Sequence, residues 1–189
     1  MRAYIAIRLS QGSVSTLQSA QKELESAAPG VFSWSNVLSA HLTLYFLGEI
    51  DESGISEVAA RLKLLAFQPF RLGWGGLVIL PEPTVPKILA SGVIGDVEEL
   101  RKLQRKVHDV VFSVAGHQET RAFFPHVTFG RLKKGVPPSA KIVKRALTDF
   151  VLKPSAIEQV CEIGIYSSEG KDEQGSHEKL ASISLGEIS

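Results

Sequence analysis

Cysteine is nearly missing from this 189-residue chain: Cys161 stands alone, so no internal disulfide can form and stability has to come from a buried core. Neither sign of charge is in excess, because 21 Lys and Arg against 20 Asp and Glu leave a formal +1. That balance excludes the broad basic footprint of a duplex-DNA binder and makes any nucleic-acid contact local. Aromatic residues are scarce as well, at 7%. A non-catalytic RNA-end-binding module, which relies on stacked bases and a basic groove, is therefore disfavoured. No apolar run approaches the ~20 residues that span a bilayer, and no N-terminal run has the make-up of a signal peptide. The expectation is a cytoplasmic monomer with no membrane contact. No low-complexity tail, charge block or Pro/Gly-rich linker divides the chain, which points to a single domain over 1–189. The glycine run Gly73-Trp74-Gly75-Gly76 lacks the Lys-Ser/Thr of a phosphate-cradling loop and reads as a bulge in a strand or a close backbone approach.

What the chain does carry is one short device twice. Ala40-His41-Leu42-Thr43-Leu44-Tyr45-Phe46-Leu47-Gly48 returns as Pro125-His126-Val127-Thr128-Phe129-Gly130. In a strand residues i and i+2 share a face, so His41, Thr43 and Tyr45 are expected on one face and Leu42, Leu44 and Phe46 on the other. The second copy sets His126 and Thr128 against Val127 and Phe129 in the same way. Two imidazoles can divide acid and base duties near neutral pH. Neutral hydroxyls beside them supply hydrogen bonds to an oxyanion without pairing with the histidines. In-line displacement at phosphorus needs this set: a base on the entering oxygen, an acid on the leaving oxygen and donors for the equatorial oxygens. Tyr45, on the same expected face, is placed to stack a base.

Periodicity supplies the frame. Strands are expected over 2–9, 31–34, 70–80, 87–94, 156–166 and 179–185 in addition to the two motifs. Apolar residues at helical spacing mark helices over 13–28, 51–66, 96–115 and, after Pro137-Pro138-Ser139, around Ile142 to Phe150. Asp96 is the expected cap of the third helix, with Glu99 three residues on. The order strand, helix, strands, helix, strand occurs once on each side of about residue 70. The fold class this implies is α+β, a bilobal duplicated architecture in which each of two similar lobes offers one His-x-Thr strand. Trp34 is expected in the core, His108 and His117 as bystanders, and His177 in a solvent loop.

These residues resemble the 2H phosphoesterases, and within them the RNA 2′,3′-cyclic phosphodiesterases also called 2′-5′ RNA ligases. The likeness includes Arg2-Ala3-Tyr4-Ile5-Ala6-Ile7, the block from His41 to Glu49, and Phe124-Pro125-His126-Val127-Thr128-Phe129-Gly130-Arg131. It implies a bilobal fold of two mainly antiparallel sheets facing a central cleft with helices on the outer faces, opening of a terminal 2′,3′-cyclic phosphate to a 2′-phosphate without metal or other cofactor, and weak reversible ligation. The partners it implies are RNA ends or nucleotides with a 2′,3′-cyclic phosphate, with ADP-ribose 1″,2″-cyclic phosphate as an alternative. By position it makes His41 and His126 the catalytic pair, with His126 as base and His41 as acid, and Thr43 and Thr128 the phosphate donors. Arg131 is the matching cation, although strand parity points it away from His126 unless the strand ends or bulges at Gly130. Two positions depart from the family pattern. Phe129-Gly130 stands where Leu-Ala is usual, and Ser176-His177-Glu178 where an aromatic residue is frequent. A metal site is argued against, since neither motif has a second His, Asp or Cys at ligand spacing and threonine is a poor zinc ligand.

Overall fold

The computed structural model describes residues 1–115, 122–171 and 177–186. Two antiparallel sheets make the frame, and each carries one of the two motifs. The four-stranded sheet runs β3 (His41–Glu49), β1 (Arg2–Arg8), β8 (Glu162–Lys171), β9 (His177–Ser184). The five-stranded sheet runs β2 (Phe32–Trp34), β6 (Val127–Leu132), β5 (Val85–Gly95), β4 (Phe70–Glu82), β7 (Glu158–Val160). The expected α+β class and the pair of antiparallel sheets are both present.

The lobes are not the two halves of the chain. β8 and β9 complete the sheet begun by β1 and β3, while β2, from the first half, pairs with β6. Helices cross over too. α1 (Gln11–Ala27) lies against β6 and α4 (Lys141–Asp149), whereas α3 (Val97–Ala115) packs on β3 and on α2 (Glu52–Lys63). The expected division near residue 70 is therefore wrong: elements are exchanged so that each lobe is closed by strands from far along the chain. The single strand expected over 156–166 is two strands, β7 in one sheet and β8 in the other, parted at Cys161.

The core confirms the helical periodicities. Leu100, Leu103, Val107 and Val111 of α3 are fully buried, as are Val58 and Leu62 of α2 and Leu24 of α1. One apolar cluster joins them to Ile5, Leu42, Val127 and Phe129 from both sheets. α1 is capped by the Ser10 side chain and α2 by Asp51, whose carboxylate accepts from the Gly54 N–H at 2.8 Å. Asp96 uses its carboxylate on the Arg71 N–H of β4 at 2.8 Å, which ties the start of α3 to the sheet. The glycine run is a bulge as expected: between Gly75 and Leu77 the β4–β5 register slips by one residue, and Gly76 takes a φ of 74°. Among the described residues no helix is long and apolar enough to cross a membrane.

Candidate active site

Both histidines stand at a strand entrance and are held in the same way. His41 is the first residue of β3, and its Nδ1–H donates to the Ser39 carbonyl at 2.7 Å. His126 immediately precedes β6, and its Nδ1–H donates to the Phe124 carbonyl, also at 2.7 Å. A carbonyl can only accept, so the proton belongs on Nδ1 and the exchanging nitrogen is Nε2 in both rings. Sequence spacing alone shows a repeated His-x-Thr. The structure adds a repeated tautomer lock.

His41, Thr43, His126, Thr128 and Arg131 line one cleft of about 810 Å³ between the sheets. No Asp or Glu is among its described lining residues. Among the described residues no group of three or more His, Cys, Asp or Glu is arranged to hold a metal ion.

Two bulges settle where the neighbours point. In the β1–β3 pair Ile5 faces Tyr45 and Ala6 faces Thr43, leaving Leu44 as an extra residue on β3. Alternation slips there. Tyr45 is 2% exposed, with its ring edge-on to His108 of α3 at 5.7 Å between centroids, while Phe46 is 56% exposed and turns to the cleft. Tyr45 and Phe46 both line the cleft, but Tyr45 is buried, so Phe46 is the exposed aromatic residue there. The second bulge has the opposite effect. Gly130 faces Leu89 and Thr128 faces Ala90, so Phe129 is the extra residue, and Arg131 is carried round to the cleft beside Ile88. The bulge is secured at the Phe129 carbonyl, which accepts from Gln21 Nε2 of α1 at 2.8 Å and from the Ser35 N–H at 3.1 Å. Gly130 is needed because a Cβ there would lie 2.8 Å from the Trp34 ring. Trp34 packs against the core as expected and donates from Nε1 to Glu25 at 2.9 Å. The unusual Phe129-Gly130 pair and Trp34 are one local solution.

Several residues in and behind the cleft escaped the sequence reading. Tyr4 lies face to face with His41, ring centroids 4.5 Å apart, and Tyr166 stacks on Tyr4 at 5.7 Å. His177 lies in the cleft, its ring centroid 5.9 Å from that of His41, so the expected solvent-loop placement is wrong. β9 begins at His177 itself, ahead of the apolar pattern that marked its start at Lys179, and carries the imidazole inward. Phe124, 54% exposed, flanks His126 at 6.0 Å between ring centroids. The available signal was the spacing of Tyr4, Ala6 and Arg8, alternate residues of a strand next to β3. His108 sits on α3 against Tyr45 and Phe112, and His117 lies outside the described residues.

The matching family model, the 2′-5′ RNA ligase superfamily, covers residues 9–172. The chain belongs to that superfamily. An RNA 2′,3′-cyclic phosphodiesterase from Aeropyrum pernix is 34% identical over 106 residues, 55% of this chain and 60% of that protein. Proteins of the same name from Archaeoglobus fulgidus and Thermotoga maritima are 32% and 30% identical over 62% and 70% of this chain. In fold, this member of the superfamily is similar to the crystal structures of TT0787 from Thermus thermophilus, with a TM-score of 0.75 at 22% identity, and of E. coli LigT complexed with 3′-AMP, with 0.73 at 18%. Each match covers 98% of both chains.

Burial lowers the pKa of His41 to about 4; the Ser39 carbonyl opposes that shift, and His177 and Arg8 add to it. A histidine lowered in the folded state binds fewer protons there than in the unfolded chain between its folded value and its ordinary 6.5. Stability therefore falls as pH drops through the window from 6.5 to about 4. Melting curves of the wild type over that window should show the fall, and His41→Asn should remove part of it. Parallel curves for the two proteins would place the acid sensitivity elsewhere.

Proposed function

We propose that this protein is an RNA 2′,3′-cyclic phosphodiesterase that opens a terminal 2′,3′-cyclic phosphate to a 2′-phosphate by two-histidine acid–base catalysis, without a metal. The observation that carries the reading is the pair of imidazoles locked as Nδ1–H tautomers in one cleft, with no Asp or Glu among its described lining residues. The names of the relatives at about 30% identity agree with it. His126 Nε2 takes a proton from water as the water oxygen attacks phosphorus. The bond to the 3′-oxygen breaks on the opposite side, and His41 Nε2–H supplies that oxygen with a proton. Thr43 and Thr128 donate to the non-bridging oxygens, and Arg131 balances their charge. Because His41 is held neutral in the free protein, its proton is loaded as the phosphate anion enters and raises its pKa. The same step with a 5′-hydroxyl attacking in place of water joins RNA ends through a 2′-5′ bond, and its reverse cleaves that bond.

A substrate panel tests this: an oligoribonucleotide and a nucleoside with 2′,3′-cyclic phosphates, and ADP-ribose 1″,2″-cyclic phosphate, each after exhaustive chelation. Products are identified by phosphorus NMR. The expected outcome is a 2′-phosphate from the RNA end at undiminished rate. A 3′-phosphate product, or activity abolished by chelation and restored by a divalent metal, would overturn the reading.

A further inference from the structure

Residues alternate along β1. Ala3, Ile5 and Ile7 belong to the main core, whereas Tyr4 and Ala6 form a separate small cluster with Tyr166 of β8. Tyr4 is buried there and is not among the described residues that line the cleft. What it meets is the flat face of His41: the two rings lie 26° from parallel with centroids 4.5 Å apart. Register explains how they reach one another. Arg8 pairs with His41 and Ala6 with Thr43. Between Arg8 and Tyr4 on that face of β1 stands only Ala6, which has no side chain beyond Cβ to part the rings.

The contact is braced from behind. β1 lies between β3 and β8, so Tyr4 stands between His41 and Tyr166, whose ring stacks on it at 5.7 Å. The Arg8 guanidinium lies 4.7 Å from the centre of the Tyr166 ring and donates to the Leu38 and His177 carbonyls at 2.9 and 2.7 Å. The Tyr4 hydroxyl is hydrogen-bonded to His177 Nδ1 at 2.5 Å, and burial raises its pKa, so the phenol stays neutral. It is therefore the ring face of Tyr4, with no phenolate charge, that His41 meets. An aromatic face is electron-rich and attracts a cation more strongly than a neutral group. The Ser39 carbonyl also favours a charged His41, while burial, His177 and Arg8 oppose it, and no Asp or Glu is among the described residues lining the cleft. The Ser39 carbonyl fixes the rotation of the imidazole within its plane, and the stacked tyrosine fixes the plane itself.

We infer that Tyr4 is a positioning residue for His41: its ring face holds the imidazole plane in place and stabilises the imidazolium once the second proton is loaded. The inference rests on the cyclic phosphodiesterase reading, in which His41 has to gain that proton before passing it to the departing 3′-oxygen. Tyr4 touches neither the phosphate nor the leaving oxygen and acts only through His41. Its effect therefore belongs to one protonation step, and removing it should move the pH at which His41 is charged more than it weakens substrate binding.

Two variants separate the ring from the hydroxyl: Tyr4→Phe keeps the face and gives up the hydroxyl, and Tyr4→Leu keeps apolar bulk and gives up the face. NMR titration of the His41 ring in excess sulfate, an anion that keeps its charge over the range, needs no turnover. His41 should titrate at lower pH in Tyr4→Leu than in wild type, and Tyr4→Phe should restore most of the difference. On an oligoribonucleotide 2′,3′-cyclic phosphate, kcat of Tyr4→Leu at neutral pH should fall about 2- to 30-fold with little change in KM. The alkaline limb of its kcat profile should move to lower pH, so that the loss shrinks as pH falls; a packing defect alone would lower kcat and leave the limb in place. A folded Tyr4→Leu with an unmoved titration and an unmoved limb overturns the inference. So does an equal loss in Tyr4→Phe and Tyr4→Leu, because the effect would then run through the hydroxyl and His177. Should the titration move as expected in a protein that opens no cyclic phosphate, the enzymatic reading fails while the hold of Tyr4 on the imidazole stands.

Discussion

Replacing either His41 or His126 with asparagine should lower kcat/KM on a 2′,3′-cyclic phosphate by about 10²–10⁴-fold, the range of one positioned acid or base. Asparagine is the informative change at His41 because its amide can still donate to the Ser39 carbonyl where Nδ1 does now, and only the exchanging nitrogen is lost. The same argument holds for His126 and the Phe124 carbonyl. Thr43→Ala and Thr128→Ala should cost less, about 10–10²-fold, because each removes one hydrogen bond to a charged oxygen, worth about 1.5–3 kcal/mol, and water can partly replace it. Steady-state kinetics beside melting curves read the ranking. A folded threonine variant as inactive as the histidine variants would give that hydroxyl a part in proton transfer, and a folded histidine variant with wild-type kcat/KM would remove that histidine from the chemistry.

The repeat of His-x-Thr was legible because strand alternation is local, and so were the helices, whose buried stripes recur at fixed spacing. What alternation cannot show is a bulge. Leu44 and Phe129 are ordinary apolar residues, and each becomes the extra residue only through its pairing with β1 or β5. One bulge buries Tyr45 and exposes Phe46, and the other carries Arg131 toward the cleft. Gly130 hinted at irregular backbone, but its cause is the Trp34 ring from a strand far away in sequence. The interleaving of the lobes was hidden for a related reason. β7 and β8 read as one alternating run, and only their partners show that the chain changes sheets at Cys161. That change brings β8, and with it β9, beside β1, and so delivers His177 to His41.

The division of labour between the histidines meets its sharpest test in a substrate whose 3′ leaving oxygen is replaced by sulfur. A thiolate departs readily without protonation, so loss of the general acid should matter little while loss of the base should matter as before. His41→Asn, severely impaired on the oxygen substrate, should therefore recover most of the lost activity, about 10²–10⁴-fold, on the thio substrate, and His126→Asn should not. The low pKa of His41 makes the result informative in either direction. In the free protein a neutral His41 is already in the state a base requires, whereas the proposed acid has to gain its proton as the phosphate binds. Entry of an anion into a cleft whose described lining holds no carboxylate supplies the driving force, because a negative charge beside an imidazole favours its protonated form. Rescue of His126→Asn in place of His41→Asn would mean that this loading does not occur, that burial keeps His41 neutral throughout the cycle, and that His41 is the base on water with His126 as the acid.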